Sequence, residues 1–323
     1  MTESILKYQR FIEEKLAEFE LPDSPKNLYE PIQYFLNIGG KRMRPVITLM
    51  ACEMFNDDYS SATEAALAIE LFHNFSLIHD DIMDNAPLRR NQMTIHEKWN
   101  ENIGILSGDA LLIESYKKLA TYSPDLLVQL LPLFNDTASL VCEGQQLDMD
   151  YESADNVSID NYLEMIQNKT AVLLACSLKM GALIGGAELN TADKLYGFGL
   201  NLGLAFQLQD DILDVYADQN KFGKQIGGDI IANKKTYLLL SAFEAASSAQ
   251  KEELVRLLNE TDTGAKIKGV MDLYAALNIQ EKTFSKMNSY YNVAMENLNA
   301  IDFPDEKKIP LENLAKYLLN REV

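Results

Sequence analysis

The sequence predicts an all-α protein built as one helical domain, and three observations support this fold class. Apolar residues recur with helical periodicity along nearly the whole chain, and runs typical of β-strands are almost absent. No proline occurs between Pro132 and Pro304, so little interrupts helices in the middle of the chain. With 323 residues, of which 47% are hydrophobic, the chain can bury a large core, and we expect residues 1–323 to form a single domain.

The predicted helices differ in how much of their surface should be buried. Residues 1–20 show an amphipathic pattern with scattered charges and lack the apolar run of a signal peptide. Residues 65–78 and 198–208 are apolar almost all round, which is typical of helices in the middle of a bundle. Residues 311–319 repeat leucines on one face, as a surface helix does. The glycine-rich residues 223–228 suit either a mobile flap near a site or an ordinary turn.

The overall charge excludes some classes of partner. The formal net charge is −19 and the pI is near 4.6, which argues against nucleic acid or an anionic membrane surface as the main partner. No apolar run is long enough to span a membrane. The three cysteines show no C-x-x-C spacing, which is typical of reduced thiols. We therefore expect a soluble, cytoplasmic protein.

One acidic pattern occurs twice, as Asp80-Asp81-Ile82-Met83-Asp84 and as Asp210-Asp211-Ile212-Leu213-Asp214. On a helix the first and last Asp of each quintet are four residues apart and share one face. A single quintet would be weak evidence, because many acidic helix faces are merely solvated. Both quintets follow buried helices, however, where carboxylates would cost several kcal/mol each unless cations compensate them. We therefore expect the six carboxylates to converge on one metal site, and oxygen ligands favour magnesium over zinc.

An acidic protein that binds phosphate must gather its cations locally. Residues 39–45 offer exposed backbone N–H groups and three cations at a predicted helix start, which suits an anion. The Arg89-Arg90 pair follows the first quintet after one short loop. The cations in or beside these motifs are Lys41, Arg42, Arg44, Arg89, Arg90, Lys169, Lys221, Lys224, Lys234 and Lys235.

From Gly39 to about Tyr237 the chain resembles the trans-isoprenyl diphosphate synthases, or polyprenyl synthetases, which include farnesyl and geranylgeranyl diphosphate synthases. The motifs that carry the resemblance are Gly40 to Pro45, His73 to Asp84 with Leu88-Arg89-Arg90, Gly108 to Leu112, Gly144-Gln145, Lys169-Thr170, Phe206 to Asp214, and Gly223-Lys224 with Lys234. The resemblance implies the isoprenoid synthase fold, a single-domain bundle of orthogonal and antiparallel helices around a central cavity. It also implies a homodimer with three magnesium ions per active site.

The resemblance implies a role for each matching residue. The metal ligands would be Asp80, Asp84 and Asp210, supported by Asp81, Asp211 and Asp214. The allylic diphosphate would be bound by Arg89, Lys169, Thr170, Gln207, Lys224 and Lys234. Isopentenyl diphosphate would be bound by Gly40, Lys41, Arg44, His73 and Arg90. Asp80, Asp84, Asp210, Lys169 and Lys224 would be the catalytic residues. The chain departs from the family pattern at Asn91, Met93 and Leu238, which affects local loop shape and removes no ligand.

Some histidines and glutamines are ambiguous from sequence. A lone histidine on an apolar helix is more often a core residue than a ligand, and only the resemblance favours anion binding for His73. We assign no role to His79 or His96. Gln145 and Gln146 suit helix packing as well as they suit a site.

The resemblance implies a head-to-tail condensation. An allylic diphosphate ionises to an allylic cation, the double bond of isopentenyl diphosphate attacks it, and proton loss restores an alkene. Magnesium and the cationic side chains would stabilise the departing diphosphate, and an apolar cavity would exclude water.

Product length would be set by the floor of that cavity. Phe75 and Phe72 precede Asp80 by five and eight residues, roughly 7 and 12 Å along a helix. Ser76 beside Phe75 resembles the geranylgeranyl pattern, whereas Phe72 could shorten the pocket towards a farnesyl product. We expect geranylgeranyl diphosphate (C20) as the product, with farnesyl diphosphate (C15) as the alternative.

Three other interpretations of the sequence remain to be weighed. A terpene cyclase usually has a second metal motif of the Asn/Ser/Glu type, whereas this chain repeats the aspartate quintet. A non-catalytic partner subunit typically loses these quintets, and both are intact. A helical scaffold with solvated acidic faces would not bind a diphosphate with magnesium.

Overall fold

The computed structural model describes residues 3–154, 156–217 and 227–319, with side chains from residue 5 onward. These residues are almost entirely helical, and their only strands form one hairpin of two-residue strands. The predicted all-α fold is therefore confirmed. By its internal contacts the chain divides into two compact units, the first comprising residues 1–136, 176–196 and 301–311 and the second the remainder. The expectation of a single domain stays a prediction.

The first unit contains the N-terminal helices. Its elements are α1 (Glu3–Ala17), α2 (Lys26–Asn37), α3 (Met43–Phe55), a 3₁₀ turn (Tyr59–Ala62), α4 (Thr63–Met83), β1 (Leu88–Arg89), β2 (Gln92–Met93), α5 (Ile95–Lys98) and α6 (Glu101–Leu119). The helices with residues in both units are α7 (Pro124–Ser153), α9 (Val172–Ile184), α10 (Leu189–Tyr216) and α16 (Asp305–Leu319).

The second unit contains the remaining elements. They are α8 (Ile159–Ile166), a π-helical segment (Gln167–Ala171), α11 (Gly228–Ile231), α12 (Tyr237–Ala245), α13 (Ser248–Leu258), α14 (Thr263–Ala276) and α15 (Ile279–Asn299). None of the helices in the described ranges combines the length and hydropathy that crossing a bilayer requires.

Helices α4 and α10 are the buried helices that the sequence predicts. In α4, residues 65–72 are buried without a break, so every side of the helix is covered, and its most extensive packing is against α6. In α10, Leu204, Ala205 and Leu208 belong to the core of the second unit together with Met165 of α8. Each aspartate quintet therefore extends from a helix whose position is fixed by its apolar packing.

A hairpin follows the first quintet, and it explains one departure from the family pattern. Leu88 pairs with Met93 and Arg89 pairs with Gln92 in an antiparallel register. The two turn residues, Arg90 and Asn91, have φ angles of 52° and 61°. Two successive positive φ angles are typical of a type I′ turn, in which asparagine is among the residues that best replace glycine. Asn91 thus keeps the turn that a glycine would form.

Candidate active site

The first aspartate quintet lies at the carboxyl end of α4. Asp80 is half-buried, Asp81 is 1% exposed, and Asp84 is exposed as the residue that ends the helix. The backbone N–H of Asp84 donates to the Asp80 carbonyl at 2.8 Å, so the helical spacing continues to the last aspartate. The first and last carboxylates of this quintet therefore occupy the more accessible positions, whereas the middle one is enclosed.

The enclosed aspartate is neutralised by an arginine of the hairpin. Arg89 donates from Nε at 2.7 Å and from Nη2 at 2.6 Å to Oδ1 of Asp81. The other carboxylate oxygen, Oδ2, is buried and has no hydrogen-bond partner. Burial raises the pKa of Asp81, and Arg89 opposes that rise. Arg89, predicted to bind the allylic diphosphate, is engaged here in holding the hairpin against the quintet.

A second cluster in the first unit is strongly basic. Nη1 of Arg44 lies 3.1 Å from Nε2 of His73. A Cβ atom on Gly40 would lie 2.5 Å from Nη1 of Arg90, so the glycine lets the loop of residues 39–41 approach that guanidinium. Burial and the charge of Arg90 lower the pKa of Arg44 to about 10. Burial, followed by the charge of Arg44, holds the pKa of His73 well below its ordinary value.

These features favour an anion at this cluster. Burial and a neighbouring arginine lower the pKa values of both Arg44 and Arg90, and Nε of Arg44 is buried without a hydrogen-bond partner. His73 is neutral in such surroundings and can either donate or accept a hydrogen bond. The structure brings together Gly40, Arg44, His73 and Arg90 of the predicted isopentenyl diphosphate set, and Lys41 is exposed in the same loop.

Arg42 has a structural role, which distinguishes it from the neighbouring Arg44. It has a φ angle of 48° and is 3% exposed. Its guanidinium donates to Glu70 at 2.6 Å, to the Leu36 carbonyl at 2.6 Å and to Glu13 at 3.1 Å. Because its hydrogen bonds are made within the protein, Arg42 fixes the loop that presents Gly40 and Arg44 and is not a cation offered to a ligand.

In the second unit the predicted diphosphate ligands begin with Lys169 and Thr170. Both lie in the π-helical segment, a rare conformation that often occurs at functional sites. Lys169 forms a 2.6 Å ion pair with Asp148 of α7. The hydroxyl of Thr170 lies 3.5 Å from Oε1 of Gln207 on α10, at the limit of a hydrogen bond. The structure therefore brings Lys169, Thr170 and Gln207 to one region.

The second quintet meets this region at Asp211. The buried hydroxyl of Tyr162 donates to Oδ2 of Asp211, and Nε2 of Gln207 lies 3.4 Å from Oδ1. Burial and, to a smaller extent, the charge of Asp229 raise the pKa of Asp211 to about 7, although Tyr162 and Lys234 oppose that rise. The side chains of Asp211 and Tyr162 are both buried.

The outer aspartates of the second quintet are more accessible. Asp210 and Asp214 are half-buried, and Oδ2 of Asp214 accepts the backbone N–H of Asp229 at 2.9 Å. Both quintets therefore have the same plan, in which the first and last carboxylates are accessible and the second is buried against a side-chain hydrogen-bond donor, the guanidinium of Arg89 or the hydroxyl of Tyr162. This shared plan is more specific than the repeated sequence alone.

The residues present suit a hard divalent cation. The donors are carboxylate oxygens, and the buried carboxyl groups of Asp81 and Asp211 have raised pKa values, which a bound cation would reverse. Within the described ranges, no three His, Cys, Asp or Glu side chains are grouped closely enough to hold a metal ion by themselves. Substrate diphosphate oxygens would complete the coordination, as magnesium prefers. The predicted ligand Lys224, the nearby cation Lys221 and most of the glycine-rich stretch lie outside the described residues.

The residues predicted to form the floor of the cavity, Phe72, Phe75 and Ser76, lie on α4. Phe72 is 1% exposed, and its ring lies 5.3 Å from that of Phe134 and 5.6 Å from that of Phe75. Phe75 is half-buried and contacts His79 edge to face, with ring centres 4.8 Å apart. The hydroxyl of Ser76 donates to the His73 carbonyl at 2.9 Å. Phe75 is therefore the more accessible ring, and Phe72 supports it from within the core.

Sequence reasoning missed three residues at this site. Asp148 pairs with Lys169 and lies three residues after Gln145, so its closeness to the Gly144-Gln145 motif could have identified it as a site residue. Asp229 lies directly after the glycine-rich stretch and faces the second quintet. Tyr162 is 49 residues from Asp211, and nothing in the sequence signals their contact.

Comparison with known proteins identifies the family of this chain. The sequence model described as polyprenyl synthetase matches residues 25–276. A geranylgeranyl pyrophosphate synthase of Geoglobus acetivorans is 34% identical, over 100% of this chain and 99% of the relative. A crystal structure of a geranylgeranyl pyrophosphate synthase superposes with a TM-score of 0.94 at 41% identity, covering 100% of each chain.

A more distant structure is informative about ligands. The polyprenyl synthase of Caulobacter crescentus CB15, solved in complex with calcium and isoprenyl diphosphate, has a TM-score of 0.82 and 28% identity, covering 99% of this chain and 95% of that one. The likeness extends over the whole chain, and the family match includes both aspartate quintets. The protein is therefore a trans-prenyltransferase that belongs to the polyprenyl synthetase family.

Proposed function

We propose that this enzyme condenses isopentenyl diphosphate head to tail with the allylic diphosphates dimethylallyl, geranyl and farnesyl diphosphate, and that its product is geranylgeranyl diphosphate. The observation that carries the proposal is the shared plan of the two quintets, each of which contacts a side chain predicted to bind diphosphate: Arg89 at Asp81 and Gln207 at Asp211. The similarity to two geranylgeranyl pyrophosphate synthases supports the C20 product.

The basic cluster of the first unit binds isopentenyl diphosphate in this proposal. Arg44 and Arg90 supply charge-assisted hydrogen bonds to the diphosphate oxygens, and neutral His73 supplies a further polar contact. Gly40 provides the close approach of the loop, and Lys41 adds an exposed ammonium group. The C–O bond of this substrate does not ionise, because the resulting cation would not be allylic, so the cluster's role is to position its double bond.

The second unit supplies the contacts to the allylic diphosphate. Lys169 is held by Asp148 at 2.6 Å, and Thr170 and Gln207 lie beside it. Lys234 is close enough to Asp211 to lower the pKa of that carboxyl. Arg89 acts through Asp81 in this proposal, because the structure engages it in that ion pair.

Ionisation of the allylic substrate is the step that these residues promote. As the C–O bond breaks, negative charge accumulates on the departing diphosphate, and the ammonium groups of Lys169 and Lys234 stabilise it. Magnesium would be held by the accessible aspartates of the quintets and would supply Lewis-acid stabilisation of the same charge. The number of ions expected from the family is three. No side chain is needed as a nucleophile, and the apolar residues around the quintets exclude water from the allylic cation.

Product length depends on α4 in this proposal. A growing chain that passes the first quintet meets Phe75 before Phe72, because Phe75 is nearer to Asp80 and more accessible. Phe72 cannot move aside easily, since Phe134 packs against it at 5.3 Å. A farnesyl product is the alternative if Phe75 closes the pocket one isoprene unit earlier.

We also propose that the enzyme is a cytoplasmic homodimer. Apolar side chains of the first unit support a dimer interface: Leu106 and Ile113 of α6 and Val128 of α7 are 59%, 57% and 71% exposed. Cys52, Cys142 and Cys176 are thiols, which agrees with a reducing compartment.

One incubation tests the proposed activity. Purified protein with labelled isopentenyl diphosphate and each of the C5, C10 and C15 allylic starters, with magnesium or with EDTA, should give labelled C20 diphosphate from all three starters only with magnesium. Absence of condensation with every starter would refute the proposal, and a C15 end product would favour the farnesyl alternative.

A further inference from the structure

Lys235 has no role in the proposed chemistry, yet its ammonium group contacts three backbone carbonyls. Nζ donates to the backbone carbonyls of Tyr151 and Ala154 at 2.5 Å each, and lies 3.1 Å from that of Glu152. These carbonyls are at the carboxyl end of α7, where the last carbonyls of a helix lack intrahelical partners and the helix dipole is negative. Lys235 therefore caps α7 from a distant part of the chain.

The helix that Lys235 caps also positions Lys169, one of the proposed diphosphate ligands. Asp148, one turn before the capped carbonyls, forms the 2.6 Å ion pair with Lys169. Gly144, one turn earlier, lies so close to the π-helical segment that a Cβ atom would be 2.2 Å from the backbone nitrogen of Lys169. The carboxyl-terminal turns of α7 thus determine where the Lys169 ammonium lies.

The residue before Lys235 is another proposed ligand of the same diphosphate. The backbone N–H of Lys234 donates to the Asp229 carbonyl at 2.9 Å, and the carbonyl of Lys234 accepts the N–H of Thr236 at 2.9 Å. These bonds fix the backbone of residue 234 relative to its own turn. The side chain of Lys235 ties that turn to α7.

We propose that Lys235 is a positioning residue, which sets the distance between the Lys234 and Lys169 ammonium groups so that both can bind one allylic diphosphate. The proposal rests on the proposed function, because it assigns that diphosphate to these two lysines. It predicts a selective effect, since the capped helix carries none of the residues assigned to isopentenyl diphosphate. A cap that merely stabilised α7 would change stability without separating the two substrates.

The test compares substitutions of neighbouring lysines in the full chain. In Lys235→Met we expect the KM for the allylic substrate to rise by about tenfold, as loss of roughly one charge-assisted contact implies. The KM for isopentenyl diphosphate should stay within about twofold. Lys235→Arg retains a donor for the carbonyls and should recover most of the allylic KM. Lys268→Met is the matched control, because Lys268 is exposed and pairs with Asp272 of its own helix.

Lys234→Met provides the reference for direct loss of a ligand. For Lys234→Met we expect a larger rise in the allylic KM than for Lys235→Met. The intact cap at Lys235 should not restore the KM, because the ligand itself is lost. The proposal is overturned if Lys235→Met changes the thermal midpoint while both KM values keep their wild-type ratio. It is also overturned if Lys234→Met leaves the allylic KM unchanged. Failure of wild-type protein to condense the substrates would instead refute the proposed function itself.

Discussion

Gly144→Ala should damage the site through the backbone. The added Cβ would lie 2.2 Å from the Lys169 nitrogen and 2.7 Å from both the Asn168 carbonyl carbon and Lys169 Cα. Non-bonded heavy atoms prefer separations of roughly 3.5 Å or more. The π-helical segment or α7 must therefore move by about 1 Å, because the obstructing atoms are backbone and cannot rotate away.

The expected magnitudes follow from this displacement. Overpacking a tight contact costs about 1–3 kcal/mol, and alanine recovers up to about 1 kcal/mol through its helix propensity. We expect a net loss of about 1–2 kcal/mol in the free energy of unfolding. Activity should fall further, because a shift of about 1 Å in a binding group can cost on the order of 100-fold in rate. The movement separates Lys169 from Asp148, which now pair at 2.6 Å.

Urea unfolding and steady-state kinetics measure the two effects. Gly264→Ala is the control, since its Cβ would meet only Oδ1 of Asp262, at 3.3 Å. That variant should keep nearly wild-type stability and allylic KM. Wild-type stability and turnover in Gly144→Ala would show that α7 does not fix Lys169, and the geometric reasoning would then be wrong.

Three further outcomes are expected. Phe75→Ala should lengthen the products, because it removes the more accessible ring of the floor; chromatography showing an unchanged product range would contradict this. Asp80→Ala and Asp210→Ala should each lower kcat by at least about 100-fold, and the double variant should lose much less than the product of the two if both act on one diphosphate; multiplicative losses would argue for independent sites. In metal-free buffer, the pKa of Asp211 is about 7 against roughly 3.9 when unfolded, so the folded state holds the extra proton and its stability should fall as pH rises from about 4 to 7, by up to about 1.4 kcal/mol per unit. Urea unfolding of Asp211→Asn should lack that fall, and identical pH profiles would refute it.

Much of the fold follows from local patterns. Apolar periodicity predicts the helices, and the apolar runs at residues 65–78 and 198–208 predict the two helices that are buried on all sides. The family motifs identify the quintets and most of the basic residues. Asn91 shows how a departure from a motif can be understood only from its φ angle of 61°.

The remaining features depend on contacts between distant residues. Asp81 and Arg89 are eight residues apart, and only the hairpin turn brings the guanidinium back to the carboxylate. The contact of Tyr162 with Asp211 joins two helices, and Asp229 reaches Asp214 through a backbone N–H that any residue type would carry. Side-chain type cannot reveal such pairs, because their distances are set by tertiary packing.

The π-helical segment has a consequence for insertions and deletions. It holds five residues, Gln167–Ala171, in a turn wider than the 3.6 residues of an α-helix. Such a turn accommodates one residue more than an α-helical turn over about the same rotation, so deleting one residue there would let α8 and α9 join as one regular helix. Fully buried Ala175 and Cys176 of α9 would stay close to their places in the core. The apolar packing that follows therefore does not require the extra residue, and its removal would change mainly the positions of Lys169 and Thr170.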